Sequence, residues 1–128
     1  MSDPAPDPAP DPVSDPGNDP VSDPHLAALR GRLERAEAEM YTDARAVRAC
    51  VVHVLSAAPR SPPGRRLEVH ALTLRSILMA QAGDGVGAIR IALPQLDAAR
   101  ELGAIDLEAR LQNVLGATYD VLDQPERA

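Results

Sequence analysis

The segment that decides the fold reads DGVGAIRIALPQLDAARELG, residues 84–103. Its apolar side chains recur at intervals of three and four, which places them on one face of an α-helix. Asp84 is typical of the residue that caps a helix start, and Gly103 of the residue that ends a helix. Pro94 predicts a kink, because it removes one hydrogen bond from the helix. The predicted apolar stripe is Val86, Ile89, Leu93, Leu96 and Ala99.

Four more stretches carry the helical period, and none of the chain alternates with the period of a strand. The first helix is predicted to begin at Pro24, after the cap Asp23. The loosest connection between helices is predicted at 60–64, which contains two prolines and a glycine. The sequence therefore predicts an all-α fold class of about five helices, in which short turns make consecutive helices antiparallel. The four further stripes are Leu26, Leu29, Leu33, Ala36 and Met40; Val47, Cys50, Val51, Val54 and Leu55; Leu67, Ala71, Leu74 and Leu78; and Leu107, Leu111, Val114, Leu115 and Leu122.

The first 23 residues differ from everything that follows. Asp-Pro recurs there every four residues from Asp3 onward, so this segment holds six aspartates and no basic residue. Proline opposes helix formation, the aspartates repel one another and little apolar surface can be buried, so we expect an extended, disordered tail that acts as a spacer. The predicted domains are the acidic tail, 1–23, and a helical domain, 24–128.

The charge distribution excludes two classes of partner. The chain has 19 acidic side chains, and the six in the tail leave 13, which balance its 13 arginines. A neutral body with an acidic tail attracts neither nucleic acid nor an anionic membrane, so neither is predicted as a partner. No apolar run reaches the roughly 18 residues of a membrane span, and the N-terminus lacks the features of a signal peptide. With a single cysteine and therefore no intramolecular disulfide, the chain is predicted to be cytoplasmic.

A period near forty residues runs through the helical part. Ala46, Ala88 and Ala128 each follow a short polar turn, at separations of 42 and 40 residues. Helix-pair repeats have periods of this size. A small side chain at such a position lets the second helix of a pair approach the first closely, so we expect these alanines at helix crossings.

The end of the chain carries a more specific pattern. Leu115 and Gly116 are adjacent, Tyr119 follows three residues later and Ala128 comes nine residues after that. This pattern resembles the tetratricopeptide repeat (TPR), and 88–103 is similar to the longer, roughly 40-residue version found in bacterial signalling proteins. The resemblance implies a fragment of a TPR-like α-solenoid, built from antiparallel helix pairs, whose last repeat is incomplete.

The resemblance also implies a function. In TPR folds the first helix of each pair lines a concave surface, so outward side chains of helices three and five are expected to bind a partner. The predicted function is a protein–protein interaction module that binds a peptide or a partner helix there, and Arg110 and Asn113 suit hydrogen bonds to a peptide. The chain has no lysine, so the family's clamp for C-terminal carboxylates is not expected. The candidate partner-binding residues are His70, Thr73, Ile77, Arg110, Asn113 and Ala117.

The incomplete last repeat leaves a second function open. Leu111, Leu115 and Leu122 are expected to be partly uncovered, which predicts self-association, marginal stability or a continuation of the chain. The alternative function is therefore the regulatory or sensory input region of a larger bacterial signalling protein, a diguanylate cyclase or a transcriptional regulator, whose effector domain lies beyond residue 128.

Residue types that could serve catalysis occur only in incomplete sets. Cys50 and His53 could share one helical face, but two ligands do not make a metal site, so we expect a buried cysteine and a tolerated histidine. The glycine-rich stretch 83–87 lacks the preceding strand and the lysine of a phosphate-binding loop and is predicted to be an inter-helix turn. The acidic residues of 97–108 alternate with arginines, as on a solvated surface. The sequence predicts no metal, no cofactor and no catalytic site, so the protein is not expected to be an enzyme.

Overall fold

The structure, a computed structural model, describes residues 23–123. This part of the chain contains five helices and no strand, so the predicted all-α fold class is confirmed for it. The disorder predicted for the acidic tail concerns residues that, apart from Asp23, lie outside the described ones, and Ala128 lies outside them too. The helices are α1 (Pro24–Ala38), α2 (Ala44–Ala57), α3 (Pro62–Gln81), α4 (Gly85–Leu102) and α5 (Ile105–Leu122).

The predicted caps set the ends of α1 and α4. Asp23 and Asp84 are the N-caps, and the carboxylate of Asp84 accepts a hydrogen bond from the amide of Gly87 at 2.9 Å. Gly103 ends α4 in the left-handed conformation, at φ 68°, which glycine adopts without steric cost. The predicted inter-helix turn before α4 is also confirmed, with Gly83 at φ 90°.

The start of α3 differs from the prediction of a loose connection at 60–64. The helix already begins at Pro62, because the hydroxyl of Ser61 accepts a hydrogen bond from the amide of Gly64 and proline fits a first helical turn that needs no amide hydrogen. Gly64 is buried, and a Cβ atom there would overlap the carbonyl oxygen of Pro59. The connection is therefore a tight, capped turn.

The five helices pack in two layers. Each helix contacts the next along the chain, and α3 also contacts α1 and α5, whereas α2 and α4 do not contact each other. Consequently α1, α3 and α5 form one layer, and α2 and α4 form the other. Consecutive helices are joined by turns of two to five residues and run antiparallel. The ion pair between Arg66 and Asp106, at 2.8 Å, joins the N-terminal ends of α3 and α5, which run parallel.

Two apolar clusters form the core and meet at α3. The first lies between α1, α2 and α3 and includes the fully buried Leu33, Val47 and Leu74. The second lies between α3, α4 and α5 and includes Ala99 and Leu111. Because α3 has neighbours on both sides, it holds more buried residues than any other helix of the described part.

The buried face of α4 consists mainly of alanines and differs from the predicted stripe. Val86 and Leu93 are 54% and 44% exposed, so their predicted burial is wrong, whereas the burial of Leu96 and Ala99 is confirmed. Small side chains face inward because α4 lies between α3 and α5, where alanine lets backbones approach closely. The helix continues through Pro94, which is exposed. The buried residues of α4 are Ala88, Ala92, Leu96 and Ala99.

The alanines expected at helix crossings behave differently from one another. Ala88 is completely buried, as predicted, but Ala46 is exposed, so the prediction for Ala46 is wrong. The caps explain the difference: Asp84 and Asp43 each cap a helix, and the buried residue is the fourth after each of them, Ala88 and Val47. In the structure, Val47 of α2 and not Ala46 therefore corresponds to Ala88 of α4.

The apolar face of α5 is better covered than the incomplete repeat predicts. Leu111 and Leu115 are only 0% and 7% exposed, because α3 and α4 cover them, so the expectation for these two residues is wrong. Leu122 is 44% exposed, in agreement with the prediction. The other side of α5 is open: Gly116 is exposed, whereas Ser76, forty residues earlier, is fully buried.

Candidate functional site

The candidate site is a groove on the layer formed by α1, α3 and α5. Its volume is about 530 Å³, and side chains from all three helices line it. Its surface combines apolar side chains with polar ones that carry hydrogen-bond donors and acceptors. The groove is lined by Glu37, Met40, Tyr41, Ile77, Ala80, Gln81, Arg110, Asn113, Val114, Ala117 and Thr118.

Four of the six residues predicted to bind a partner lie in this groove. Ile77 comes from α3 and is half-buried, with part of its side chain against the first core cluster. Arg110, Asn113 and Ala117 come from successive turns of α5, and the last two are exposed. The helix period places these three side chains on one edge, because they are separated by three and four residues.

His70 lies beside the groove, in an adjoining depression of about 430 Å³ that Arg110 also lines. Its side chain is only 15% exposed, and its ring nitrogen Nε2 lies 2.9 Å from Oε1 of Glu37. An ionised carboxylate only accepts hydrogen bonds, so Nε2 carries the proton that His70 donates. The structure thus places His70 in an intramolecular contact next to four of the other candidate residues.

Thr73 is not part of the site, and its predicted outward orientation is wrong. Its side chain is completely buried, and its hydroxyl donates a hydrogen bond to the backbone carbonyl of Val69 at 2.7 Å. Thr73, Val69 and Ser76 share the side of α3 opposite to the first cluster, and all three are fully or almost fully buried. The prediction fails because α3 is covered on two sides, which leaves a narrower free face than a helix with one neighbour has.

Glu37 of α1 connects the predicted residues to one another. One carboxylate oxygen accepts from His70 of α3, and the other accepts from the guanidinium of Arg110 of α5. Burial by itself raises the pKa of Glu37, but the hydrogen bonds and charges of His70 and Arg110 outweigh it, so the pKa lies below its ordinary value. The carboxylate is therefore ionised at neutral pH and holds Arg110 at the edge of the groove.

Sequence reasoning missed Glu37 as a residue of the site. It lies four residues after Leu33 and three before Met40, both of which are buried, so it occupies the inward side of α1. An acidic residue in phase with an apolar stripe was the signal that could have identified it. Its partners lie 33 and 73 residues away along the chain, and only the packing of the three helices shows that they meet.

Arginines also pair with acidic residues near the N-terminal ends of α3 and α5 and the C-terminal end of α4. Arg66 pairs with Asp106 at 2.8 Å, and Glu101 and Glu108 pair with arginines at 3.0 Å each. Burial opposes ionisation of Asp106, but the hydrogen bond and charge of Arg66, with backbone amides, lower its pKa below the ordinary value. These carboxylates form ion pairs that join neighbouring helices and therefore have a structural role.

The described residues contain no assembled metal site. Cys50 is half-buried and packs against the first core cluster, while His53 is exposed. Burial raises the pKa of the Cys50 thiol, against the smaller opposing effect of two arginines of α1. Within 23–123, no group of three or more His, Cys, Asp and Glu side chains is placed to share a metal ion.

The character of the helices and the similarity to known proteins both bear on the class of protein. None of the described helices combines the length and the apolar character that crossing a bilayer requires. Comparison with protein-family models, curated proteins and solved structures finds no match to this chain. The fold defines an all-α protein of helix-repeat-like architecture, and the TPR resemblance stays a prediction.

Proposed function

We propose that this chain is a protein–protein interaction module that binds a peptide or a partner helix in the groove. The observation that carries the proposal is the groove itself, to which α1, α3 and α5 all contribute. An apolar floor that includes Ile77 and Val114 provides buried area, and polar side chains such as Asn113 and Arg110 can fix the direction of a bound segment. We place this activity in the cytoplasm.

The state of Arg110 determines what the groove can recognise. Its guanidinium has five N–H donors in a planar fork, and the ion pair with Glu37 is made through Nη1, so further donors can reach a backbone carbonyl or a carboxylate of the partner. Asn113 lies one turn further along α5 and adds both a donor and an acceptor. The groove therefore suits a segment with apolar side chains and at least one carbonyl or carboxylate near Arg110.

The test is selection of binders from a displayed-peptide library on the full chain, followed by affinity measurement with two matched variants. Ala117→Arg fills the groove, while Ala109→Arg places the same side chain on an exposed position of α5 that does not line it. We expect Ala117→Arg to weaken binding at least tenfold and Ala109→Arg to leave it unchanged. Equal affinities of the two variants, or a library without binders, would contradict the proposal.

The open side of α5 favours the second candidate function, an input region of a larger signalling protein. Ile105 and Tyr119 are 76% and 45% exposed, and Gly116 between them has no other atom within 4 Å of an added Cβ. A helix of a further repeat, or of a second copy of the chain, can approach closely there, because Gly116 has no side chain. Sequencing the encoding DNA past Ala128 tests this function: an in-frame continuation into further helices and an effector domain supports it, and a stop codon contradicts it.

A further inference from the structure

A second concave surface lies between α2 and α3, away from the groove. It is a cleft of about 360 Å³ whose lining includes Arg48, Val52, Arg75 and Met79. Val52 is 67% exposed and adds apolar surface to the cleft. None of the described side chains that line the cleft is acidic. The cleft thus combines an apolar floor with two cationic rims.

The two arginines of the cleft, one on α2 and one on α3, have no ion-pair partner among residues 23–123. Arg66 and Arg110 make ion pairs across the α1, α3 and α5 layer. Arg48 and Arg75, which point elsewhere, are exposed and make no ion pair with any residue of 23–123. The helix α2 itself carries two arginines and no acidic residue. An anionic segment would therefore find two unengaged guanidinium groups beside an apolar surface.

The chain contains a segment of complementary composition, residues 1–22, here called the acidic arm. It holds five aspartates and no basic side chain, and each aspartate is followed directly by proline. Each Asp-Pro unit therefore places a carboxylate next to an apolar ring. The cleft is complementary to such a unit, because it places a guanidinium group next to an apolar side chain.

The point at which the arm joins the helical body is within reach of the cleft. The arm joins the helical body at Asp23, the cap of α1, and Nε2 of His25 in the same turn lies 3.2 Å from the carbonyl oxygen of Ala57 at the end of α2. Nine helical residues, roughly 14 Å, separate Ala57 from Arg48. A proline-rich chain spans about 3.1 Å per residue, so Asp15 and Asp19 can lie roughly 25 and 12 Å from Asp23.

We propose that the cleft between α2 and α3 holds the chain's own acidic arm, with aspartate carboxylates on Arg48 and Arg75 and proline rings against Val52 and Met79. A covalently attached segment has an effective concentration in the millimolar range, so the arm occupies the cleft ahead of unattached acidic segments of equal affinity. The contact is weak and sensitive to salt, because exposed ion pairs are screened.

The test compares the amide chemical shifts of Val51, Val52 and Met79 in the full chain with those in a variant carrying D7N, D11N, D15N and D19N. The variant keeps the cap Asp23, and far-UV circular dichroism confirms its fold. In about 0.01 M salt we expect the two arms to give different shifts at the cleft. In about 1 M salt, where the Debye length falls from about 30 to about 3 Å, we expect the difference to vanish.

Two arginine backgrounds make the test specific. In the double variant Arg48→Ala, Arg75→Ala, we expect the difference between the two arms to disappear at the cleft. In Arg90→Ala, which removes an exposed arginine of α4 that makes no ion pair within 23–123, we expect it to persist. The proposal is overturned by identical shifts of the two arms at low salt, by a difference that survives high salt, or by equal losses in both backgrounds. A difference that grows with protein concentration also overturns it, because the arm of a second copy would then be the occupant.

Discussion

The hydrogen bonds of Glu37 predict a pH-dependent loss of stability when its charge is removed. Glu37→Gln keeps the shape of the side chain and its capacity to accept a hydrogen bond, but it removes the charge that His70 and Arg110 share. Charge-assisted hydrogen bonds contribute about 1.5–3 kcal/mol, whereas exposed ion pairs contribute about 0.2–1 kcal/mol. The side chains of Glu37 and Arg110 are 31% and 36% exposed, so solvent screens them and we expect a loss of about 1 kcal/mol.

The assay is urea unfolding of the wild type and of Glu37→Gln, monitored by circular dichroism at several pH values from neutral to acid. The folded-state pKa of Glu37 lies below its ordinary value, so its ionised form stabilises the fold above that ordinary value, and this contribution is lost as the pH falls through the lowered pKa. We therefore expect the gap between wild type and Glu37→Gln to be about 1 kcal/mol at neutral pH, or about 4–8 °C in Tm for a domain of this size. In acid the gap should close.

The matched control is Glu39→Gln, which changes an exposed glutamate just after α1 that makes no side-chain ion pair within 23–123. Its stability should follow that of the wild type at every pH. The reasoning about Glu37 is refuted if the gap for Glu37→Gln is absent at neutral pH, or if it keeps the same size in acid.

Three further predictions concern the helical body. Gly64→Ala should lower the free energy of unfolding by about 1–3 kcal/mol, since its Cβ overlaps a backbone carbonyl, whereas Gly31→Ala, with open space around it, should raise that free energy by about 0.4–1 kcal/mol; urea unfolding separates the two, and equal effects would count against the packing of the α2–α3 turn. Leu111→Ala should cost about 2–5 kcal/mol and Leu122→Ala less than about 1 kcal/mol, as thermal melts would show, because only the first is fully buried; similar costs would contradict that difference. The rate of alkylation of Cys50 should rise with pH, and the midpoint of this rise should lie above the ordinary thiol pKa, because burial raises the pKa of Cys50. A midpoint at or below the ordinary value would contradict this.

Local signals in the sequence predicted the elements of the fold well. The caps Asp23 and Asp84, the stop Gly103 and the helical spacing of apolar residues each act within a few residues of where they occur, and the structure confirms them. The errors have different origins. The forty-residue spacing of alanines misplaced Ala46 by one residue relative to the caps, and the TPR resemblance placed Thr73 on an outer face, although α3 is covered on two sides.

The candidate site was predictable in part. The helix period places Arg110 and Asn113 on one edge of α5, and the groove contains both. The phase of Glu37 with the apolar stripe of α1 marks it as an inward acidic residue, but nothing near it in the chain indicates its two partners on other helices. In the same way, the charge contrast between the acidic arm and α2 is visible in the sequence, but the cleft beside Arg48 is not.

The sequence by itself determined that this chain forms helices, where most of them begin and end, and that its excess negative charge belongs to residues 1–23, since these properties depend on neighbouring residues and on composition. Only the tertiary structure decided that three helices share one layer and two the other, that alanines bring α4 close to its neighbours, and that Glu37 meets His70 and Arg110. The reason is physical: a cap or an apolar stripe is satisfied within one helix, whereas a groove and an ion pair between helices exist only when distant segments pack together.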